Sequence, residues 1–372
     1  MSEGPPDLEG VVRSKFGVKQ FFSLPDRGLE FQITYDELTK VKFADLEAEV
    51  RTRGYRPELT GTPDECVLQL RKEEPVPEKS SRVPVLFALF TMASLVVFAL
   101  VERVGYEQEV PSLPGYFVFF SFMVGVSLLL GVHELAQRLV GRRKKAGHAG
   151  SFAIPGVPLL PPFLPSLGFV ASQKSPALNR DALFDTVITG PLAMLAVALL
   201  MSAVGDLTSV SSPVLYQWVH SSNSTYVTNP SALEASLGGL LSPFLPRVGA
   251  ASLLASPIAD AASVGFILVF ICLLPMAIFD GGYLATLAWG GGAARAATYL
   301  SVLFLLVVDV SFAIYWAIAI VALLLAGRPA KLKLLDEVSG LSRSRQWVFI
   351  GTLILAFLCI PIPHTLATLP FP

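Results

Sequence analysis

Charge is scarce in this sequence: Asp, Glu, Lys and Arg make up 15% of its 372 residues, whereas a typical soluble domain carries about 25%. Of the 28 basic and 29 acidic residues, 29 fall within residues 1–82. The rest of the chain is strongly apolar, and the mean hydropathy of the whole is +0.60. A single soluble globule is therefore excluded, and the composition predicts a small polar domain followed by a polytopic membrane domain.

Cysteine is also scarce, and the three thiols, Cys66, Cys272 and Cys359, lie far apart. Their number and spacing exclude a disulfide framework and a CxxC metal site. The formal net charge of −1 argues against a nucleic-acid-binding protein, which would need a basic face. No Gly-rich phosphate loop is present, so no nucleotide or flavin is expected. Met1–Glu9 has no apolar segment, so the first membrane span is expected to act as the targeting signal.

The polar N-terminal region is interpreted as a soluble α/β head. Leu29–Tyr35 alternates apolar and polar residues as a strand does, and Leu38–Val50 has the apolar spacing of one helix face. Cys66–Leu70 is predicted to be a returning strand. The composition favours a regulatory or substrate-docking module. The predicted division of the chain is a head at 1–75, a charged linker at 76–82 and a membrane domain at 83–372.

The apolar stretches predict about seven membrane crossings, because one span needs roughly 20 apolar residues. Two crossings are expected to form a short hairpin, and one is expected to be interrupted near Pro275 and Asp280. The predicted spans are Val83–Val101, Tyr116–Val132, Thr186–Val204, Ser263–Ala288, the hairpin Ala297–Gly327 and Trp347–Ile362.

The distribution of basic residues predicts the orientation, because Lys and Arg favour the cytoplasmic side of a membrane. The cluster Arg142–Lys145 and the stretch Arg328–Arg345 are expected to face the cytoplasm, and so is the head. The acidic or neutral loops between the other spans are expected to face outward. The chain is thus predicted to be a multi-pass protein of the cell membrane.

Residues 147–172 are apolar but rich in proline and glycine, so they cannot form an ordinary spanning helix. Irregular backbone survives at membrane depth only where it is buried in protein or lines a cavity. This segment is therefore predicted to be a re-entrant or membrane-embedded hairpin, which indicates a site rather than a plain helix bundle.

Ionisable residues within two of the spans point to chemistry, because they are costly there. His133 and Glu134, followed by Gln137, have the spacing of the H-E-x-x-H motif. In that motif two histidines bind zinc and the glutamate acts as a general base. Asp280 follows a break at Pro275 and precedes two glycines, so its carboxylate could supply a further ligand.

These motifs occur in an order that resembles the site-2 protease family of intramembrane zinc metalloproteases, above all its archaeal members and the chloroplast ethylene-dependent gravitropism-deficient and yellow-green proteins. Further stretches carry the likeness: Phe16–Phe22, Pro165–Gly168, Asn179–Pro191, Leu274–Gly282 and Leu334–Pro363.

The resemblance implies a site-2 protease-like helical core that binds zinc through His133 and Asp280 and uses Glu134 as the catalytic base. The implied substrate is a single-span membrane protein that is cleaved near the cytoplasmic face. Its unwound helix would pair with the embedded segment by edge addition. The substrate-binding residues implied in this way are Phe152, Ile154 and Pro275.

Two positions depart from the family pattern. Gln137 replaces the second zinc-binding histidine, and Cys272 replaces an asparagine. A neutral amide oxygen is a weaker zinc ligand than imidazole, thiolate or carboxylate, so zinc is expected to bind weakly through Gln137 or to be absent. Cys272 is expected to pack as a small apolar residue. His148 is a further histidine whose imidazole could fold back towards the metal and replace the missing ligand.

Three functions remain open from the sequence. The first is the zinc peptidase, and the second is an inactive pseudoprotease that binds or escorts membrane proteins, which Gln137 favours. The third is a small transporter or channel with a path lined by Asp185, Asp280 and Asp309. The membrane domain shows no internal repeat, although many transporters would have one.

Overall fold

The computed structural model describes most of the chain. The described residues are 7–24, 28–73, 83–144, 146, 149–156, 164–173, 175–214, 230–245, 253–277, 279–308, 318–320 and 332–361. The predicted linker, His148 and Asp309 lie outside these residues.

The head contains two helices and a four-stranded antiparallel sheet with the strand order β1-β2-β4-β3. Phe31 and Ile33 are buried beneath the helices, because alternate residues of a strand share one face. The strand, helix and returning strand predicted from the sequence correspond to β2, α2 and β4. The elements are α1 (Leu8–Lys15), β1 (Val18–Leu24), β2 (Gly28–Ile33), α2 (Thr39–Arg51), β3 (Tyr55–Gly61) and β4 (Cys66–Lys72).

The rest of the described chain is mostly helical. Its elements are α3 (Val83–Glu109), α4 (Gly115–Arg143), β5 (Ala149–Pro155), β6 (Ser166–Gln173), α5 (Arg180–Leu207), β7 (Val210–Ser212), α6 (Ala232–Leu241), a 3-10 turn (Ser242–Phe244), β8 (Leu253–Ala255), α7 (Pro257–Leu273), α8 (Asp280–Val308) and α9 (Arg343–Leu358). Four of these helices, α3, α4, α5 and α8, are long and apolar enough to cross a membrane. The apolar helix α7 has 17 residues.

The break predicted near Pro275 and Asp280, within Ser263–Ala288, is confirmed, and it separates two helices. Helix α7 ends at Leu273 and α8 begins at Asp280, because Pro275 lacks the N–H that a continuing helix needs. The first half of the predicted hairpin Ala297–Gly327 belongs to α8, and most of its second half lies outside the described residues. The sequence predicted about seven crossings for the whole chain, and four candidate spans are found in the described part of it.

Helices α4, α5 and α7 pack closely around small residues. A side chain at Gly265 of α7 would lie 2.9 Å from Leu129 of α4 and 3.0 Å from Ala198 of α5. Small residues of this kind allow membrane helices to approach one another. Gly141, near the end of α4, faces Thr186, near the start of α5. These two helices therefore run antiparallel.

The segment predicted to be an embedded hairpin forms two antiparallel strands, with Phe152 opposite Val170 and Ala153 opposite Phe169. Its turn lies outside the described residues. Helix α3 covers the edge of β5 that is not paired with β6. The Thr91 hydroxyl of α3 donates to the Ala153 carbonyl oxygen at 3.3 Å.

Ion pairs join several elements at one end of the helix bundle. Arg345 at the start of α9 binds both carboxylate oxygens of Asp185, at 2.7 and 2.8 Å, and contacts Asp181 at 3.0 Å. Lys40 of the head pairs with Asp181 at 2.8 Å, and Lys144 pairs with Asp185 at 3.2 Å. The head and the described parts of both predicted cytoplasmic basic segments therefore lie at the same end of the bundle.

The head also binds a segment from the far C-terminal side of the chain. The Leu59 N–H donates to the Leu335 carbonyl at 2.7 Å, and the Glu337 N–H donates to the Leu59 carbonyl at 3.0 Å. The Leu335 side chain is buried in the hydrophobic core of the head. The core of the head thus contains a residue of the predicted membrane domain.

Candidate metal centre

The structure brings together His133 of α4 and Asp280, the first residue of α8. The Nε2 atom of His133 lies 2.8 Å from Oδ2 of Asp280, and both side chains are completely buried. The two residues are 147 positions apart in the chain. His133 lies ten residues before Arg143, the last residue of α4, which corresponds to a depth of about 15 Å from that end of the helix.

The break between α7 and α8 places the Asp280 carboxylate. After Pro275 interrupts the helix, Gly281 and Gly282 pack against the backbone of the break. A Cβ atom would lie 2.2 Å from the Leu274 carbonyl oxygen at Gly281, and 2.1 Å from the Met276 carbonyl oxygen at Gly282. Neither position has room for a side chain, so the two glycines allow the tight turn that starts α8 at Asp280.

A third potential metal ligand is Cys272, in the last turn of α7. Its sulfur, a ligand atom of His133 and a carboxylate oxygen of Asp280 lie within 4.8 Å of one another, and all three residues are buried. The second carboxylate oxygen of Asp280, Oδ1, is buried without a hydrogen-bond partner among the described residues. Phe169 of β6 stacks on the His133 ring, with 3.7 Å between the ring centroids. Cys272 is packed in the core as the sequence analysis expected, yet it also borders the His–Asp pair.

Gln137 is buried one turn after His133, but its amide group is directed towards α5. The Nε2 atom donates to the Val187 carbonyl at 3.1 Å. Gly190 makes this arrangement possible, because a Cβ there would lie 2.7 Å from both Gln137 Nε2 and His133 Nε2. The amide nitrogen is thus hydrogen-bonded to a backbone carbonyl, and only the amide oxygen of Gln137 remains as a potential metal ligand.

Glu134 lies beside the cluster and is held by two residues. Its Oε1 accepts a hydrogen bond from Arg138 Nε at 2.6 Å. Its Oε2 accepts two hydrogen bonds from Ser151 of β5, from the backbone N–H at 3.1 Å and from the hydroxyl at 2.9 Å. The Ser151 hydroxyl also lies 3.4 Å from His133 Nδ1. Ser151 therefore links the predicted base to the predicted ligand, a connection that the sequence analysis missed.

The three predicted substrate-binding residues are partly buried. Phe152 packs edge-on against Phe87 of α3, with 5.0 Å between the ring centroids. The Ile154 carbonyl accepts from the Ser166 hydroxyl of β6 at 2.8 Å, and the Pro275 carbonyl accepts from the Thr298 hydroxyl at 3.2 Å. Their roles stay predictions.

Asp185, one of the acids proposed to line a transport path, lies in the ion-pair network at the end of the bundle. Arg345 and Lys144 neutralise its carboxylate. A carboxylate paired in this way with two cations has a structural explanation, so its position lends no support to a conduction path.

A comparison with family models finds one match, to peptidase family M50, over residues 121–308. The matched stretch begins within α4 and ends with α8, so it contains His133, Glu134, Cys272 and Asp280. No curated protein and no solved structure matches the chain.

Proposed function

The chain belongs to peptidase family M50, as the motif order predicted, and we propose that it is a metal-dependent peptidase that cleaves a single-span membrane protein. The observation that carries this proposal is the buried contact between His133 and Asp280. Two of the strongest kinds of zinc ligand, an imidazole and a carboxylate, meet in the helix bundle at 2.8 Å.

The residues of the centre fit a zinc ion. Zinc binds nitrogen and oxygen at about 2.0–2.2 Å and sulfur at about 2.3 Å, and the candidate ligand atoms lie within 4.8 Å of one another. The unpartnered Asp280 Oδ1 supports the same conclusion, because a buried carboxylate oxygen without a partner is costly. His133 and Asp280 would hold the ion, which would supply Lewis acidity to a water molecule and to the scissile carbonyl.

Glu134 is the proposed general base. It would accept a proton from the attacking water and pass it to the leaving amine when the peptide C–N bond breaks. Ser151 would position it, because the two Ser151 hydrogen bonds fix one carboxylate oxygen. The other oxygen is held by Arg138, so a bound substrate would have to compete with that ion pair.

The substrate is proposed to be an unwound transmembrane helix that adds to the edge of β5, beside Phe152 and Ile154, and reaches the break at Pro275. Main-chain hydrogen bonds supply most of the affinity in this mode of binding. The Thr91 hydroxyl donates a hydrogen bond to the Ala153 carbonyl on that edge. An added strand would therefore have to displace α3 locally.

The proposed site of cleavage is near the cytoplasmic face of the cell membrane. His133 lies about 15 Å from the end of α4, which carries Arg142 and Arg143. The same end carries Arg345 and the head. An excess of basic residues favours the cytoplasmic side.

Cleavage of a single-span reporter by the detergent-purified chain tests the proposal. The native protein should release a fragment, and Glu134→Gln should reduce its release to a small residual rate, because an amide cannot accept the proton from water. Glu107→Gln is a matched control, since Glu107 is an exposed glutamate of α3 paired with Arg103, and its activity should stay native. Equal fragment release by the native chain and Glu134→Gln would refute the peptidase proposal.

Non-hydrolytic binding of membrane proteins is the second candidate function. The Gln137 amide bonded to Val187 and the Glu134 carboxylate paired with Arg138 favour it. In that case the native chain should capture the reporter without cleaving it, and Gln137→His should introduce cleavage. Comparable cleavage by the native chain and by Gln137→His would exclude this candidate.

A further inference from the structure

We infer that Cys272 is the third protein ligand of the metal and takes over the role that Gln137 cannot fill. This inference rests on the metal centre proposed above and extends it to a ligand set of one imidazole, one thiolate and one carboxylate. The three residues come from three different helices, α4, α7 and α8.

The placement of Cys272 carries the first part of the argument. It is the residue before the last one of α7, so its position is fixed by the same helix break that places Asp280. Its sulfur lies within 4.8 Å of the ligand atoms of His133 and Asp280. No other group of three or more His, Cys, Asp or Glu residues with this geometry occurs in the part of the chain that the structure describes.

The second, independent argument for a metal at this position comes from Asp280. Its side chain is completely buried, and Oδ1 has no hydrogen-bond partner in the described part of the chain, although Oδ2 contacts His133. A buried carboxylate oxygen without a partner is costly, and a cation beside it would remove that cost. A metal ion held by the carboxylate, the imidazole and the sulfur would supply the partner that this buried carboxylate oxygen lacks.

The chemistry of sulfur explains why Cys272 would be a better metal ligand than Gln137. A thiolate is a strong zinc ligand, whereas a neutral amide oxygen is a weak one. Cys272 would hold the ion as a thiolate, so its S–H proton would be released to solvent on binding. Such a site should prefer zinc, cobalt or cadmium over magnesium, calcium or manganese.

Two of the three cysteines lie outside the centre, which allows a clean experiment. Cys66 lies in the head and Cys359 follows α9, so Cys66→Ser/Cys359→Ser leaves Cys272 as the only thiol of the full chain. Titration of this protein with cobalt(II) should show one bound ion and a sulfur-to-cobalt charge-transfer band. Adding Cys272→Ser should remove the band and weaken cobalt binding by more than about 100-fold, the upper end of the loss caused by removing an outer partner of a ligand.

A second experiment leaves Cys272 itself unchanged. X-ray absorption at the zinc K-edge is measured on the zinc-loaded Cys66→Ser/Cys359→Ser protein. It should show one sulfur neighbour at about 2.3 Å. Bound zinc with nitrogen and oxygen neighbours only, or cobalt binding that Cys272→Ser leaves unchanged, would overturn the inference and leave the proposed metal centre intact. A failure to bind either metal would overturn both, and the reporter cleavage assay would then judge the peptidase activity separately.

Discussion

Ser151 is the residue whose contacts most directly connect ligand and base. Its hydroxyl donates to Glu134 and lies 3.4 Å from His133 Nδ1. We expect Ser151→Ala to lower the rate of reporter cleavage by about 10–100-fold, as is typical when a group that orients a ligand is lost. Ser151→Thr retains the hydroxyl and should keep most of the activity.

The Glu134→Gln background separates a positioning role of Ser151 from a general loss of structure. If Ser151 acts through Glu134, the two substitutions act as one unit and their effects are not additive. The double variant should then be no less active than Glu134→Gln alone. A large drop in the thermal stability of Ser151→Ala in detergent would argue for a merely structural role.

Gly190 is the second residue with a sharp prediction, because its missing side chain creates the space for the site. A Cβ atom would lie 2.7 Å from His133 Nε2, so Gly190→Ala should displace the imidazole and weaken cobalt(II) binding. Overpacking of this kind costs about 1–3 kcal/mol, which thermal unfolding should detect. Gly131→Ala on the neighbouring helix meets no atom within 4 Å and should behave as the native chain. Unchanged metal affinity in Gly190→Ala would contradict the prediction.

Sequence reasoning found the residues of the centre whose presence in a membrane span is itself costly. His133 and Asp280 stand out because ionisable groups are rare there. Ser151 and Cys272 carry no such signal, since a serine in a hairpin and a cysteine in an apolar helix are ordinary. Their importance depends on the register of β5 and on where α7 ends, and neither can be read from composition.

The helical elements show the same division between what hydropathy reveals and what it does not. Spans near α3, α4 and α5 were predictable because charged or glycine- and proline-rich segments separate them. The boundary between α7 and α8 was indicated by Pro275 and not by hydropathy, because Leu273–Phe279 is itself apolar and the hydropathy does not drop across the break. Gly290, where α8 is interrupted with φ +81°, lies between the predicted spans Ser263–Ala288 and Ala297–Gly327, so α8 joins residues that the sequence assigned to two spans.

Arg345 makes a prediction at the scale of elements, because it joins the start of α9 to the start of α5. Its guanidinium forms a forked pair with Asp185, which a lysine cannot reproduce. Arg345→Lys should lower the free energy of unfolding by about 1.5–3 kcal/mol, the range for hydrogen bonds to charged groups. The exposed neighbour Arg343 provides the control, since Arg343→Lys should leave the midpoint of thermal unfolding unchanged. Equal effects of the two substitutions would show that the forked geometry contributes nothing.

At the scale of the whole molecule, the head is attached to the membrane domain by more than its position in the chain. Leu335 completes its hydrophobic core, and Lys40 pairs with Asp181. The sequence analysis predicted an α/β unit in this region but could not foresee the attachment. Residues 59 and 335 are far apart in sequence, and a leucine in this stretch gives no indication of its partner.

Cys66 reports whether the head stays docked on this segment. The thiol is completely buried in β4, and burial, followed by the negative charge of Asp336, raises its pKa from 9.0 to about 11. The docked head favours the neutral thiol, so this contribution to stability is complete below pH 9 and is lost as the pH rises towards about 11. We therefore expect Cys66 of the native chain to resist iodoacetamide at about pH 8, close to the usual pKa of a free thiol.

Leu335→Ser should undock the head and accelerate the alkylation of Cys66 by about tenfold or more, because each unit of pKa that is recovered raises the thiolate fraction tenfold. Peptide mapping of the alkylated protein measures this rate. Leu332→Ser is the control, since Leu332 packs against the membrane core instead and should leave the rate native. Equal acceleration by both substitutions would indicate general unfolding, whereas an unchanged rate in Leu335→Ser would show that the head buries Cys66 without the C-terminal segment.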